Sequence, residues 1–197
     1  MNKTRICAVI RVSTLLMLIV PAWASAQDML KMCTACHGED GRGVSSDIPI
    51  IAGVPAAVQE DALFAYADGV RNCVSSPMMC KIASLLTEEQ IIELAAYYAG
   101  LPYKAAGEEF DTALAEAGQK IHASNCAMCH GANNPSEANA SMGASVLHGQ
   151  HKDYMRYALQ QYVAGERSQL PAMEKAISAL AADDIEALVN YYASYCD

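Results

Sequence analysis

Cys33-Thr34-Ala35-Cys36-His37 is the stretch around which the chain is organised, and Cys126-Ala127-Met128-Cys129-His130 repeats it. The pattern Cys-x-x-Cys-His is typical of covalent c-type haem attachment. On one helical turn the two thiols reach the two vinyl groups of a haem edge, and the next residue presents an imidazole to the iron. The alternatives are a zinc site or a dithiol pair, which the adjacent histidine disfavours. We predict attachment at the four cysteines and proximal ligation by the two histidines: Cys33, Cys36, His37, Cys126, Cys129 and His130.

The first 26 residues have the three parts of a secretory signal peptide. Basic residues lie near the start, an apolar run follows over residues 12–22, and Ala24-Ser25-Ala26 fits a cleavage site. An uncleaved anchor is the alternative, but the run is short for a bilayer span. We predict a periplasmic protein with residues 1–26 removed and no membrane span in the mature chain.

The chain is acidic, with 13 Lys and Arg residues against 22 Asp and Glu and a formal charge of −9. The predicted signal peptide carries three of the basic residues and no acidic one, so its removal takes the charge to −12. Such a surface does not suit nucleic acid. It suits a basic redox partner, because the negative electrostatic field of the chain speeds the encounter with that partner more than it strengthens the complex.

An internal repeat divides the chain into two units. The two haem motifs lie 93 residues apart. Tyr66 to Arg71 matches Tyr162 to Arg167 at an offset of 96, and Ile91 to Ala99 matches Ile185 to Ala193 at an offset of 94. The same unit therefore occurs twice, with small insertions.

Each unit is predicted to consist of helices and loops, with no stretch that predicts a strand. Thr87 and Gln90 form a capping box at the start of a helix near the end of the first unit. Pro and Gly bracket a connector around residues 101–107. We predict an all-α fold with two tandem domains, residues 27–103 and 104–197. Units of this size bury little apolar surface alone, so folding should depend on haem attachment.

Each iron needs a sixth ligand, and a methionine thioether is a neutral, soft donor that favours reduced iron. Met79 follows His37 by 42 positions, Met173 follows His130 by 43, and each lies two residues after a proline. This repeated placement predicts Met79 and Met173 as distal ligands, with Met78 as the rival in the first unit. With both axial positions filled, neither iron has a place for substrate, which favours electron transfer over catalysis.

The repeat also predicts residues around the haems. A metal-bound imidazole usually donates its other N–H to a carbonyl or carboxylate. Pro49 supplies such a carbonyl in the first unit, and Ser145 is its counterpart. Arg71 and Arg167 are candidates for pairing with haem propionates, with a solvated surface arginine as the alternative. The unrepeated histidines are predicted to be surface or packing residues and two other methionines packing residues: His122, His148, His151, Met128 and Met155.

Three cysteines remain outside the motifs and the signal peptide. Cys73 and Cys80 flank a loop that is two residues longer than its counterpart in the second unit. In an oxidising compartment we predict a disulfide between them, which would staple the loop that carries Met79. Thiolate ligation by Cys80 is the alternative and would lower the potential. Cys196 is predicted to be free or to bridge to a partner.

The two units resemble the dihaem cytochromes of the cytochrome c-four type. Each has the Cys-x-x-Cys-His motif and a Pro-x-Met before a Leu/Ala-rich helix that ends in Tyr-Tyr. They resemble still more the dihaem cytochrome subunit of flavocytochrome c sulfide dehydrogenase. This second resemblance rests on residues 110–115 and on a further set: Gly118, Lys120, His122, Cys126 and Pro171 to Lys175.

The resemblance implies two class-I cytochrome c folds related by a pseudo-two-fold axis, with two covalently bound haem c groups. It also implies haems close enough for fast internal electron transfer. In the flavocytochrome the dihaem subunit docks on a flavoprotein that oxidises sulfide. This chain differs in its Cys73–Cys80 loop and in Cys196. It has no Gly-x-Gly-x-x-Gly fingerprint, so any flavin would belong to another chain.

Three functions compete. The first is a dihaem electron-transfer protein, either the electron-accepting subunit of a sulfide dehydrogenase-like complex or a free carrier to a terminal oxidase or small cytochrome. The second is a dihaem enzyme of the thiosulfate dehydrogenase or peroxidase type, which needs an exchangeable distal ligand. The third is a haem-based sensor, which needs an output domain that this chain lacks. The ligand placement favours the first, without a catalytic residue.

Overall fold

A computed structural model describes residues 23–132 and 143–197. All but the last four residues of the predicted signal peptide lie outside these ranges. The first helix begins at Trp23, so it runs through the predicted cleavage site at Ala26 into the first haem motif.

The described residues form nine helices and no strand, which confirms the all-α prediction. The first unit contains α1 (Trp23–His37), α2 (Ala56–Ala67), α3 (Pro77–Ala83) and α4 (Glu88–Ala99). The second unit contains α5 (Thr112–Asn125), α6 (Ala127–His130), α7 (Lys152–Val163), α8 (Pro171–Ser178) and α9 (Asp184–Ala193). Within the described ranges, no helix combines the length and the apolar character needed to cross a bilayer.

Local sequence signals set the start of the last helix in each unit. The Thr87 hydroxyl accepts a hydrogen bond from the N–H of Gln90, and the Gln90 side chain accepts one from the N–H of Thr87. This is the predicted capping box, and it satisfies two N–H groups that the first turn leaves unpaired. At the start of α9 the carboxylate of Asp184 accepts instead from the N–H of Ala181.

The core of the second unit is built on a close crossing of α5 and α9. A Cβ at Gly118 would lie only 2.1 Å from the carbonyl oxygen of Ala187, so the backbones approach this closely only because position 118 has no side chain. Met155 is 4% exposed in the core, as predicted, whereas the packing role predicted for Met128 is wrong. Met128 is 78% exposed because it lies on the outer side of the short helix α6.

The connector between the units passes two repeat-related turns. Gly53 and Gly149 have φ angles of +68° and +81°, and each donates its N–H to the last helix of its own unit, at 2.9 and 2.7 Å. A Cβ at Gly53 would lie 2.8 Å from Tyr103, and one at Gly149 would lie 2.7 Å from Ala105. The connector therefore packs against both turns and holds the two units together.

His151 ties the connector to the first unit. Its Nε2 donates to the carbonyl of Arg42 at 2.8 Å, and its Nδ1 lies 2.7 Å from a carboxylate oxygen of Glu108. The Arg42 guanidinium in turn donates to the carbonyl of Ala105 at 2.7 Å. The two units are thus in direct contact, and the histidine predicted as a surface or packing residue lies half-buried at their boundary.

Candidate haem-binding sites

The end of α1 carries the first haem motif. Cys33, Cys36 and His37 lie on its last turns, and Gly38, with a φ angle of +76°, ends the helix. The His37 ring is 7% exposed, and its Nδ1 donates to the carbonyl oxygen of Pro49 at 3.2 Å. This bond fixes the ring and its tautomer, and it leaves Nε2 as the nitrogen available to a metal.

The second motif follows a break between α5 and α6 at Cys126. The Nδ1 of His130 donates to the carbonyl oxygen of Ser145 at 2.9 Å. The second unit lacks the proline of the first at this position but keeps the bond, because any residue has a backbone carbonyl. Burial lowers the pKa of both His37 and His130, and the carbonyl contact opposes this shift. Both rings are therefore held in the neutral form that ligates metals.

The donor set at each motif is two thiols and one imidazole. None of the four motif cysteines is in a disulfide. Burial raises the pKa of Cys33 and of Cys126, so both are held as thiols. In the part of the chain that is described, no three His, Cys, Asp or Glu side chains converge on a bare metal ion. Two thiols beside one neutral imidazole suit covalent haem c.

The two predicted distal methionines occupy equivalent places. Met79 in α3 and Met173 in α8 are each the third residue of a short helix that begins with proline. Both side chains are partly buried, and Met173 packs against the core of the second unit. Met78, the rival in the first unit, is 59% exposed. The arrangement turns Met79 inward and Met78 outward.

A disulfide joins Cys73 to Cys80 beside Met79. It joins Cys73, in the loop before α3, to Cys80, in the first turn of that helix. With its sulfur in the disulfide, Cys80 has no thiolate to offer a metal in this structure. Cys196 is exposed and free.

Arg71 and Arg167 stack on the repeat-related tyrosines of their units. The guanidinium carbon of Arg71 lies 4.7 Å from the ring centre of Tyr66, and that of Arg167 lies 5.4 Å from the ring centre of Tyr162. Arg167 is 4% exposed; its Nε donates to Gln161, and its buried Nη2 has no hydrogen-bond partner. A buried guanidinium with an unpaired N–H fits an anionic group such as a haem propionate.

Tyr154 links the two arginines, and sequence analysis missed it. Burial raises the pKa of the Tyr154 hydroxyl, but the positive charges of Arg167 and Arg71 outweigh it, so the pKa of Tyr154 is lowered. Tyr154 belongs to α7, and its N–H donates to the carbonyl of Ser46 in the first unit at 3.0 Å. The residue 96 positions earlier is Val58, so the repeat gave no signal for it.

Two helical copies of a Cys-x-x-Cys-His site, each with a carbonyl-held histidine and a Pro-x-Met helix, define a c-type cytochrome with two haem sites. A family model described as cytochrome C oxidase, cbb3-type, subunit III, matches residues 23–97 and again residues 113–191. The chain belongs to this cytochrome c family and contains two copies of its domain.

Curated relatives cover most of the chain. It is 29% identical over 174 residues to the thiosulfate dehydrogenase electron acceptor of Thiomonas intermedia, covering 83% of this chain and 77% of the relative. It is 26% identical over 177 residues to cytochrome c4 of Pseudomonas aeruginosa, covering 85% and 86% of the two chains.

Solved structures share the fold. Reduced recombinant cytochrome c4 from Pseudomonas stutzeri matches with a TM-score of 0.75 and 24% identity, over 86% of this chain and 96% of that one. The thiosulfate dehydrogenase TsdBA from Marichromatium purpuratum matches with a TM-score of 0.68 and 28% identity, over 82% of this chain but 36% of that one.

These findings confirm the predicted resemblance to dihaem cytochromes and the two tandem class-I cytochrome c domains related by a pseudo-two-fold axis. They also confirm the prediction of two covalently bound haem c groups. The protein is a dihaem electron-transfer protein similar to cytochrome c4.

Proposed function

We propose that the chain is a periplasmic one-electron carrier. It accepts electrons from a dehydrogenase of reduced sulfur compounds and passes them to a terminal oxidase or a small cytochrome. The observation that carries this proposal is the repeated placement of a histidine and a methionine in the two units. His37 is buried, His130 is partly buried, and each unit has a partly buried methionine at the equivalent position. With these residues as ligands, neither iron would have a coordination position left for a substrate.

Within this proposal, residues 27–103 and 104–197 each hold one haem. The cysteines of the two motifs would form the thioether bonds, and His37 with Met79 and His130 with Met173 would ligate the two irons. When bound, haem c stores one electron on its iron and releases it with little change in structure. Arg71 and Arg167 would pair with haem propionates. The buried Nη2 of Arg167, which has no hydrogen-bond partner, supports this role.

The chain tunes these sites through its own donors and charges. The carbonyl oxygens of Pro49 and Ser145 orient the two imidazoles and make them stronger donors. A methionine ligand at each iron would raise the reduction potential, which suits an acceptor of electrons. The disulfide between Cys73 and Cys80 restrains the segment that carries Met79.

Two observations support a sulfur-compound dehydrogenase as donor. A relative that matches over most of both chains is named a thiosulfate dehydrogenase electron acceptor, and the TsdBA structure contains a region of the same fold. The acidic surface favours a donor with a basic docking face. The flavoprotein of a sulfide dehydrogenase-like complex is the second candidate donor.

Anaerobic stopped-flow mixing tests the proposal. The oxidised holoprotein is mixed with thiosulfate alone, with thiosulfate dehydrogenase alone, and with both, while haem reduction is recorded. We expect reduction only with both present, at a rate that falls as salt is added. A parallel series with a sulfide-oxidising flavoprotein and sulfide identifies the alternative donor. Reduction by thiosulfate alone, or carbon monoxide binding by the reduced native protein, would show an open site and an enzyme.

A further inference from the structure

His122 is buried behind the second haem motif and has a hydrogen-bond partner on each ring nitrogen. It is 0% exposed. Its Nε2 lies 2.6 Å from the carbonyl oxygen of Gly131, and its Nδ1 lies 3.0 Å from the hydroxyl of Tyr192. The carbonyl only accepts, so Nε2 carries a hydrogen and donates. A neutral ring then accepts the Tyr192 hydrogen at Nδ1. His122 therefore joins α9 to the backbone that follows the proximal histidine.

The first unit lacks this connection. Position 29, which precedes the first haem cysteine by the same four residues as position 122 precedes the second, is methionine. Tyr98, the repeat counterpart of Tyr192, is 2% exposed, and its buried hydroxyl has no hydrogen-bond partner. Each tyrosine lies near the first cysteine of its own haem motif, Tyr98 near Cys33 and Tyr192 near Cys126. The missing partner is thus explained by the Met29 side chain, which can neither donate to nor accept strongly from a hydroxyl.

We propose that His122 is a positioning residue for the second haem only: its side chain supplies the hydrogen bond that the N–H of Gly41 supplies to the equivalent carbonyl, that of Gly38, in the first unit, at 3.2 Å. This proposal rests on the proposed assignment of His130 as proximal ligand. Gly131 directly follows His130, so the His122–Gly131 bond holds the carbonyl of the residue next to the ligand. The bond also neutralises the negative end of a carbonyl dipole beside the site.

The electrostatic effect has a definite sign. An unpaired carbonyl oxygen near the iron favours the ferric state, because it attracts positive charge. A donated N–H reduces that attraction, and therefore favours the ferrous state. His122 thus raises the reduction potential of the second haem, as the N–H of Gly41 does in the first unit at the carbonyl of Gly38.

The test measures both potentials by spectroelectrochemical titration of the holoprotein. His122→Phe keeps an aromatic ring but removes both hydrogen bonds, and His122→Gln restores a donor and an acceptor. The two waves are assigned in a Met79→His background, in which the first-unit wave moves far to lower potential. The parallel variant Met173→His should move the second-unit wave in the same way. If the ligand assignment of the second unit is wrong, this variant moves no wave, so that failure is distinguished from a failure of the His122 proposal.

We expect His122→Phe to lower the second-unit wave and leave the first-unit wave unchanged, with the methionine-to-iron band retained. His122→Gln should recover most of the loss. Unchanged waves, equal shifts of both waves, or a Gln variant no better than Phe would overturn the proposal. His122→Met, which copies Met29 of the first unit, is the independent arm if His122→Phe does not fold. A fall of the second-unit wave supports the proposal, and an unmoved wave overturns it.

Discussion

Gln150 and Ile50 form a reciprocal pair of hydrogen bonds across the boundary between the two units. The N–H of Ile50 donates to Oε1 of Gln150, and Nε2 of Gln150 donates to the carbonyl of Ile50, each at 2.8 Å. The two residues are 3% and 1% exposed. Ile50 directly follows Pro49, whose carbonyl orients the His37 ring. A side chain of the second unit therefore fixes the backbone that positions the proximal histidine of the first.

Gln150→Ala should destabilise the holoprotein, because it leaves a buried N–H and a buried C=O of Ile50 without partners. We expect a loss of about 2 kcal/mol in the free energy of unfolding, within the range for buried unpaired polar groups. Guanidinium unfolding followed by circular dichroism measures it. The control is Gln160→Ala, an exposed residue on α7, the helix that follows Gln150; it should change the free energy by less than about 0.5 kcal/mol.

A spectroscopic measurement on the first-unit haem completes this test. Loss of the Ile50 contacts frees the Pro49 carbonyl. Gln150→Ala should therefore broaden the nuclear magnetic resonance signals of the His37 ring and leave those of His130 unchanged. Equal stability of the two Gln variants would show that water replaces the amide, and the interpretation of a rigid boundary would then fail.

Replacement of the distal methionines should remove one axial ligand at a time. Met79→Ala is expected to open one iron to carbon monoxide and to abolish about half of the methionine-to-iron charge-transfer band, because one of two thioether ligands is lost. Absorption spectra of the ferric protein and carbon monoxide titration of the ferrous protein measure both effects. Met78→Ala is the matched control and should leave the spectrum intact, since that side chain is 59% exposed. The opposite pattern would make Met78 the ligand.

The disulfide between Cys73 and Cys80 should stabilise the same ligand. The double variant Cys73→Ser, Cys80→Ser frees a short loop, and we expect it to lose about 2 kcal/mol of stability. Its first-unit haem should also lose the methionine band at a lower temperature than in the wild type. Cys196→Ser is the control, because that thiol is exposed and free. If the methionine band is lost at the same temperature in both variants, α3 holds Met79 in place without the disulfide.

Sequence analysis identified the features that depend on neighbouring residues or on the repeat. The haem motifs, the Thr87 capping box and the two Pro-x-Met helices are short patterns with their own physical logic. It did not identify the roles of Tyr154, Gln150 and His122, whose counterparts in the first unit are apolar: Val58, Val54 and Met29. These residues act across the unit boundary or behind a haem motif. Their partners are set by how helices pack, which no local pattern encodes.

Acidification should weaken the second unit through one charge cluster. The Nη2 of Arg156 donates to a carboxylate oxygen of Glu186 at 3.0 Å, its Nε contacts the other, and its Nη1 donates to Asp153 at 2.8 Å. The hydrogen bond from Arg156 is the main cause that lowers the pKa of Glu186, and the Ser46 hydroxyl is the main cause that lowers the pKa of Asp153. These interactions join α7 to α9 and to the first unit.

A carboxylate whose pKa is lower in the folded protein stabilises it above the unfolded pKa, and that contribution is lost as the pH falls through the folded value. The free energy of unfolding should therefore decline from about pH 5 downward. Glu186→Gln should be less stable at neutral pH and should decline less steeply, so that it approaches the wild type in acid. Denaturant unfolding at several pH values measures both curves. Glu116→Gln, on the exposed side of α5, should follow the wild-type curve; parallel curves for Glu186→Gln and the wild type would exclude the Arg156 pair as a source of acid sensitivity.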